Sequence, residues 1–267
     1  MQAGTDSQRV STGIAELDRL LQGGFLRGRS YLVAGDAGTG KTTLCIQFLL
    51  AGLRHNEKAI YVTVDERPAE ILQSAASLGW NLQNYIQDKS LVILDASPYF
   101  SGRAAAIAEK GVDLPKIIAD LATYGRRMEA KRLVIDPMTP LILSADSPIR
   151  IQEQARALIH LLQTQLTTTN LFSSQLPGRT EHDLTVGIEE FLASGVLLLK
   201  VGLTNGRYTR SLYIKKMRGT SVEPREYPIT IAPERGIAFD GVEPAPPLQP
   251  EPNIEALEFF QLPKDES

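Results

Sequence analysis

The chain has 267 residues, 28 Lys plus Arg against 31 Asp plus Glu, one cysteine and a formal net charge of −3. The lone Cys45 excludes a disulfide scaffold and a zinc site built from cysteines, and fits a reducing cytosol. No apolar run approaches the ~20 residues that span a bilayer, and MQAGTDSQRV lacks the apolar core of a signal peptide, so a cytoplasmic globular protein is expected.

Strands are expected at 31–35 (YLVAG), 59–65 (AIYVTVD), 91–96 (LVILDA), 133–136 (LVID) and 170–175 (NLFSSQ), each short and continuously apolar instead of alternating. Between them, 42–54, 68–80, 114–130 and 151–166 carry helical spacing. Alternation at this pitch predicts an α/β fold with a mostly parallel central sheet flanked by helices on both faces. After residue 190 the pattern changes. GVLLLKVGLTNGRYTRSLYIKKMRG predicts a hairpin turning at Asn205–Gly206, and ITIAPERGIAF a second, so C-terminal antiparallel strands extend the sheet edge.

Six of the 16 prolines and six acidic residues against one lysine fall in residues 241–267. Such a segment cannot join a sheet or helix over most of its length, so the folded domain is expected over 1–240 and a flexible acidic tail over 241–267. The tail carries −5, which leaves the domain at +2 (−3 minus −5).

GDAGTGKT (35–42) matches the phosphate-loop pattern G-x-x-x-x-G-K-[ST], following an apolar strand and opening a helical pattern. Gly35, Gly38 and Gly40 let the backbone curl so that the amides of Asp36, Ala37, Thr39 and their neighbours point at one anion, with Thr43 in the first helical turn. Lys41 can reach the β- and γ-phosphates of ATP, and the Thr42 hydroxyl can ligate Mg²⁺. RLVIDP ends an apolar strand in Asp136, where a carboxylate would complete the Mg²⁺ shell. AIYVTVDE places Asp65 and Glu66 at the tip of a neighbouring strand, where either can act as base toward the attacking water. Spacing alone does not choose between them.

TGIAELDRLLQGG (12–24), GDAGTGKTTL (35–44), YVTVDERP (61–68), SLGW (77–80), LVIDPMTPL (133–141), GIEEF (187–191) and IKKMRGTS (214–221) together resemble the KaiC-like ATPases, RecA-fold proteins related to the cyanobacterial clock ATPase and the archaeal RadA group. The likeness runs collinearly over about 9–240 and is strongest to the first of the two KaiC repeats. It implies a RecA-like P-loop fold, a hexameric ring with ATP between subunits, and a regulatory or signalling role. The family's paired glutamates correspond to Asp65 and Glu66, and the shorter Asp65 favours Glu66 as base. Ser77 matches a position near the nucleotide, and Thr220 another nucleotide contact. Lys216 and Arg218, with Met217 between them, match a Lys-x-Arg pair that reaches the γ-phosphate of the adjoining subunit's ATP. Val222 departs from the clock protein's histidine. Gln175 resembles the polar γ-phosphate sensor of RecA-type proteins. Simple alternation puts Lys216 and Arg218 on one strand face, with Lys215 and Met217 on the other.

Two other activities share this fold. A RadA-like DNA-binding role is disfavoured because LPGRTEHDLTVGIEE carries four acids and one arginine, and PMTPLILSADSPIR one of each with no aromatic. An autophosphorylating kinase role is disfavoured because 231–266 contains no Ser, Thr or Tyr. His55, His160 and His182 lack metal-ligand spacing, Cys45 and Trp80 read as helix-packing residues, and Arg126, Arg127, Lys131 and Arg132 as the solvated end of a helix.

Overall fold

The expected buried strands assemble into one nine-stranded sheet. The computed structural model describes residues 8–96, 114–142, 148–175, 193–204, 206–223 and 225–239. The tail (241–267), the acidic loop at 176–190, GIEEF (187–191) and His182 lie outside the described residues. The sheet strands are β3 (Ser30–Gly35), β4 (Ala59–Thr63), β5 (Leu91–Asp95), β6 (Arg132–Asp136), β7 (Thr169–Gln175), β8 (Gly195–Thr204), β9 (Arg207–Met217), β10 (Glu226–Ala232) and β11 (Gly236–Phe239). Their order is β11-β10-β9-β8-β3-β7-β6-β4-β5. From β8 to β5 every pairing is parallel, and β9, β10 and β11 continue the sheet antiparallel. The strands of both expected hairpins pair antiparallel, with Asn205 of the first turn outside the described residues, and the first strand of the first one, β8, runs parallel to β3. A two-stranded ribbon, β1 (Arg9–Val10) with β2 (Phe25–Leu26), precedes the sheet.

Helices cover both faces: α1 (Ala15–Leu20), α2 (Lys41–Leu53), α3 (Pro68–Ser77) and α4 (Gln83–Gln87) in the first half, then α5 (Leu114–Met128), α6 (Thr139–Ile142) and α7 (Pro148–Gln165). Strand alternation divides the apolar side chains into two cores. Tyr31, Tyr61, Val134 and Leu171 pack toward α2. Leu32, Ile60, Leu133 and Phe172 pack toward α5 and α7. The second helix was expected to run to residue 80 but stops at Ser77, because Gly79 takes φ +78° and breaks the helical path. Trp80 therefore packs against the turn between β10 and β11, its indole N–H donating to the Glu234 carbonyl at 3.1 Å. Cys45 is buried within α2 as expected.

The C-terminal strands are fastened over α2 by Gln47. This buried side chain accepts from the Ile237 N–H at 2.7 Å and donates to the Arg235 and Ile237 carbonyls at 3.1 and 3.3 Å, so its polar atoms are satisfied away from water.

Arg132 corrects the expected solvated cluster. Its side chain is 3% exposed, bonded to Glu57 at 2.6 Å and to the Ser11 and Phe48 carbonyls, and lies 4.7 Å above the Phe48 ring. Gly52 of α2 has no Cβ where the guanidinium crosses, which is why the helix tolerates a glycine there. Burial raises the Glu57 carboxyl, but hydrogen bonds and charges of Arg132 and Arg27 outweigh it and hold the group below its usual range. Its contribution is therefore present above the unfolded glutamate pKa and lost as pH falls through the depressed folded value. Glu57→Ala strands a buried cation and should cost about 3 kcal/mol, read as a lowered urea midpoint. An unchanged midpoint would show the pair to be dispensable.

Candidate active site

Between the end of β3 and the start of α2 the chain turns through residues 36–40. Gly38 and Gly40 take φ of +75° and +108°, the left-handed region where a side chain is strained. The Thr39 hydroxyl donates to the Asp36 carbonyl at 2.8 Å, so this buried threonine braces the turn. No side chain caps α2, so its first amides are available to an anion. The Lys41 ammonium donates to the Gly35 and Asp36 carbonyls at 2.8 and 2.9 Å. Burial lowers its pKa, opposed by the charges of Asp136 and Asp36.

Asp136 ends β6, and alternation turns it to the α2 face with Val134. It is buried, and three hydroxyls hold it: Thr42 and Tyr61 donate to Oδ2 at 2.8 and 2.5 Å, and Ser173 to Oδ1. The Thr42 and Asp136 oxygens suit a hard cation that takes one carboxylate plus substrate phosphates. Among the described residues no group of three or more His, Cys, Asp or Glu could hold a metal unaided.

Asp65 and Glu66 lie just beyond β4. The Val64 N–H donates to the Asp136 carbonyl at 3.2 Å and the Thr63 hydroxyl to the Glu66 carbonyl at 2.6 Å, which holds this segment beside the aspartate. Both carboxyls are raised above their ordinary pKa, chiefly by burial and then by the charge of Asp136; Glu70 and Asp65 add to the rise at Glu66. A raised carboxylate is a stronger proton acceptor near neutral pH. Gln175 ends β7, with its backbone N–H donating to the Thr139 hydroxyl at 3.2 Å.

These elements surround a cavity of about 500 Å³, lined by loop residues including Lys41, Thr42 and Thr43, by Asp65 and Glu66, and by Asp136 and Gln175. Besides Pro137, which follows Asp136, sequence reasoning missed two further lining residues, Arg210 of β9 and Ile231 of β10. The Arg210 guanidinium donates weakly to the Gly38 carbonyl at 3.3 Å. Their positions follow from the pairing of β9 with β10, which no local motif announces.

Eight expected site residues do not line this cavity: Gly35, Asp36 and Thr39 of the loop itself, and Ser77, Lys216, Met217, Arg218 and Thr220. Ser77 ends α3 and donates to the Ser74 carbonyl. Thr220 accepts from Arg9 at 3.1 Å. Lys216 and Arg218 also lie away from it, and Met217 between them is buried in the core. The ladder explains the direction of this stretch. Ile214 pairs with Leu197, and Lys216 with Val196, leaving Lys215 as the extra residue of a β-bulge. Arg210, Leu212 and Ile214 therefore share the α2 face, whereas past the bulge Met217 takes that face and Lys216 the opposite one.

The model of the KaiC ATPase family matches residues 10–242. The chain belongs to the KaiC family of ATPases. It is 35% identical over 225 residues to the circadian clock oscillator protein KaiC of Parasynechococcus marenigrum, covering 84% of this chain and 43% of that relative. The KaiC of Thermosynechococcus vestitus is 34% identical over 231 residues, covering 86% and 44%. The chain thus spans less than half the length of these clock proteins. The crystal structure of a KaiC-like protein from the hyperthermophilic archaeon Pyrococcus horikoshii OT3 superposes with a TM-score of 0.72 at 30% identity, covering 87% of this chain and 98% of that one. The fold is accordingly RecA-like, with antiparallel strands at its C-terminal edge. No helix among the described residues is long and apolar enough to cross a membrane.

Proposed function

We propose that this KaiC-family ATPase domain hydrolyses ATP in a Mg²⁺-dependent reaction, within a homo-oligomeric ring that has ATP at its subunit interfaces, and that hydrolysis serves a regulatory or signalling role. One observation carries the reading: Thr42 and Asp136 meet at the phosphate loop, with Asp65 and Glu66 across the same cavity. The loop amides and Lys41 bind and orient the β- and γ-phosphates. Thr42 and Asp136 would hold a Mg²⁺ ion beside the loop, which would supply charge neutralisation at the phosphates. Glu66 orients the attacking water and accepts its proton, with Asp65 the alternative base. Gln175 senses the γ-phosphate, a reading supported by its position at the end of β7 on the cavity wall. Lys216 and Arg218 act on a neighbouring subunit's nucleotide, while Ser77 and Thr220 contribute nucleotide contacts.

Phosphate release from ATP tests the chemistry. Wild-type turnover should require Mg²⁺, and Glu66→Gln should lower kcat by about 100-fold or more while ATP binding persists. A larger loss in Asp65→Asn than in Glu66→Gln would transfer the base role to Asp65. Absence of Mg²⁺-dependent hydrolysis in the wild-type protein would refute the proposal.

A further inference from the structure

Asp136 lies between β4 and β7, and each flanking strand sends it one hydroxyl, Tyr61 from β4 and Ser173 from β7. Thr42 approaches from the cavity, but Tyr61 and Ser173 approach from inside the fold and neither lines the cavity. Tyr61 is 1% exposed and belongs to the apolar cluster between the sheet and α2. A phenylalanine would fill that space, so packing explains the ring and leaves the hydroxyl to be accounted for. A buried phenol requires a polar partner, and here the partner is the carboxylate that faces the phosphate loop.

We propose that the Tyr61 hydroxyl is a positioning group for Asp136, holding the carboxylate in one orientation toward the divalent cation of the bound nucleotide, with Ser173 fixing its other oxygen. The inference rests on the Mg²⁺-dependent reading above. Thr42 has to divide its oxygen between the aspartate and the metal, whereas Tyr61 and Ser173 make no such choice. With both oxygens engaged from behind, the carboxylate is prevented from turning about its Cβ–Cγ bond. Loss of one donor frees that rotation and leaves a buried negative charge with less compensation. The consequence falls on metal binding and spares the loop amides and Lys41, which hold phosphate without it.

Tyr61→Phe in the full chain tests this, with Tyr31→Phe as control. Tyr31 is equally buried in the same cluster, but its hydroxyl accepts from the Leu26 backbone N–H at 2.7 Å and is remote in role from Asp136. Three quantities are read: Mn²⁺ affinity of the nucleotide-loaded protein by electron paramagnetic resonance, half-saturating Mg²⁺ in ATP hydrolysis, and nucleotide affinity in chelator. Tyr61→Phe should weaken Mn²⁺ binding and raise half-saturating Mg²⁺ by about tenfold, as loss of a partner behind a metal ligand does. Nucleotide affinity in chelator should stay within about twofold, and Tyr31→Phe should move none of the three. Wild-type Mn²⁺ affinity in Tyr61→Phe overturns the inference. Should that variant melt too early to assay, Ser173→Ala carries the same expectation through the other oxygen, and its wild-type behaviour would equally overturn it. Failure of the Mg²⁺-dependent reading is separately visible, because the unmutated protein would then show no divalent requirement.

Discussion

Lys41→Ala should abolish measurable ATP binding, weakening it by at least about 100-fold, equivalent to roughly 2.7 kcal/mol. The ammonium stands at the mouth of the loop, bonded to the Gly35 and Asp36 carbonyls, the backbone that a phosphate must approach. Its removal subtracts a positive charge from a cavity that already holds Asp65, Glu66 and Asp136, so a polyanionic ligand then meets net repulsion. Partial burial magnifies the effect, because the interaction is less screened than at an open surface. The side chain supports little of the core, so the thermal midpoint should change by only a few degrees. Fluorescence titration with a labelled ATP analogue, run beside a melting curve, separates lost affinity from lost fold. Tight binding by a folded Lys41→Ala protein would displace the nucleotide from this loop.

The loop, Asp136 and the Asp65–Glu66 pair were legible because each depends on local pattern: a glycine spacing, an apolar run ending in a carboxylate, a strand tip. Their convergence in one cavity follows once β3, β4 and β6 run parallel. Arg132 had a legible signal that its basic neighbours concealed. It shares parity with Val134 and Asp136, so alternation alone turns it inward, where Glu57 meets it. Arg210 and Ile231 had none, since their place over the loop is set by non-local pairing of antiparallel strands. Tyr61 fell within the strand expected at 59–65 without being singled out. Its hydroxyl acquires meaning only when the neighbouring strands bring Asp136 within reach. The bulge at Lys215 was likewise beyond a period-two reading, which predicts that Ile214 and Lys216 share a face. The extra residue puts them on opposite faces.

That change of face underlies the second large effect expected. On β9, Arg210 lies before the bulge and faces its own chain's cavity, whereas Lys216 lies after it and faces away. Arg218 follows just past the strand end, its backbone N–H donating to the Ser194 carbonyl at 2.7 Å. In the proposed ring, one strand would thus present cations to two different nucleotides, its own and a neighbour's. If Arg218 acts across the interface, Arg218→Ala should lower kcat by about 1,000-fold, with ATP affinity changed far less. Glu66→Gln should be similarly inactive by itself. Mixed before assembly in equal amounts, the two variants should recover about a quarter of wild-type activity, since a head-to-tail interface draws its base from one subunit and its arginine from the next. At one interface in four, the base comes from an Arg218→Ala subunit and the arginine from a Glu66→Gln subunit, and both groups are intact. A cis arginine predicts no recovery at any mixing ratio, because every chain then carries one defect at its own site. Native mass spectrometry of the mixture, confirming that hybrid rings form, makes an inactive mixture decisive against the shared site.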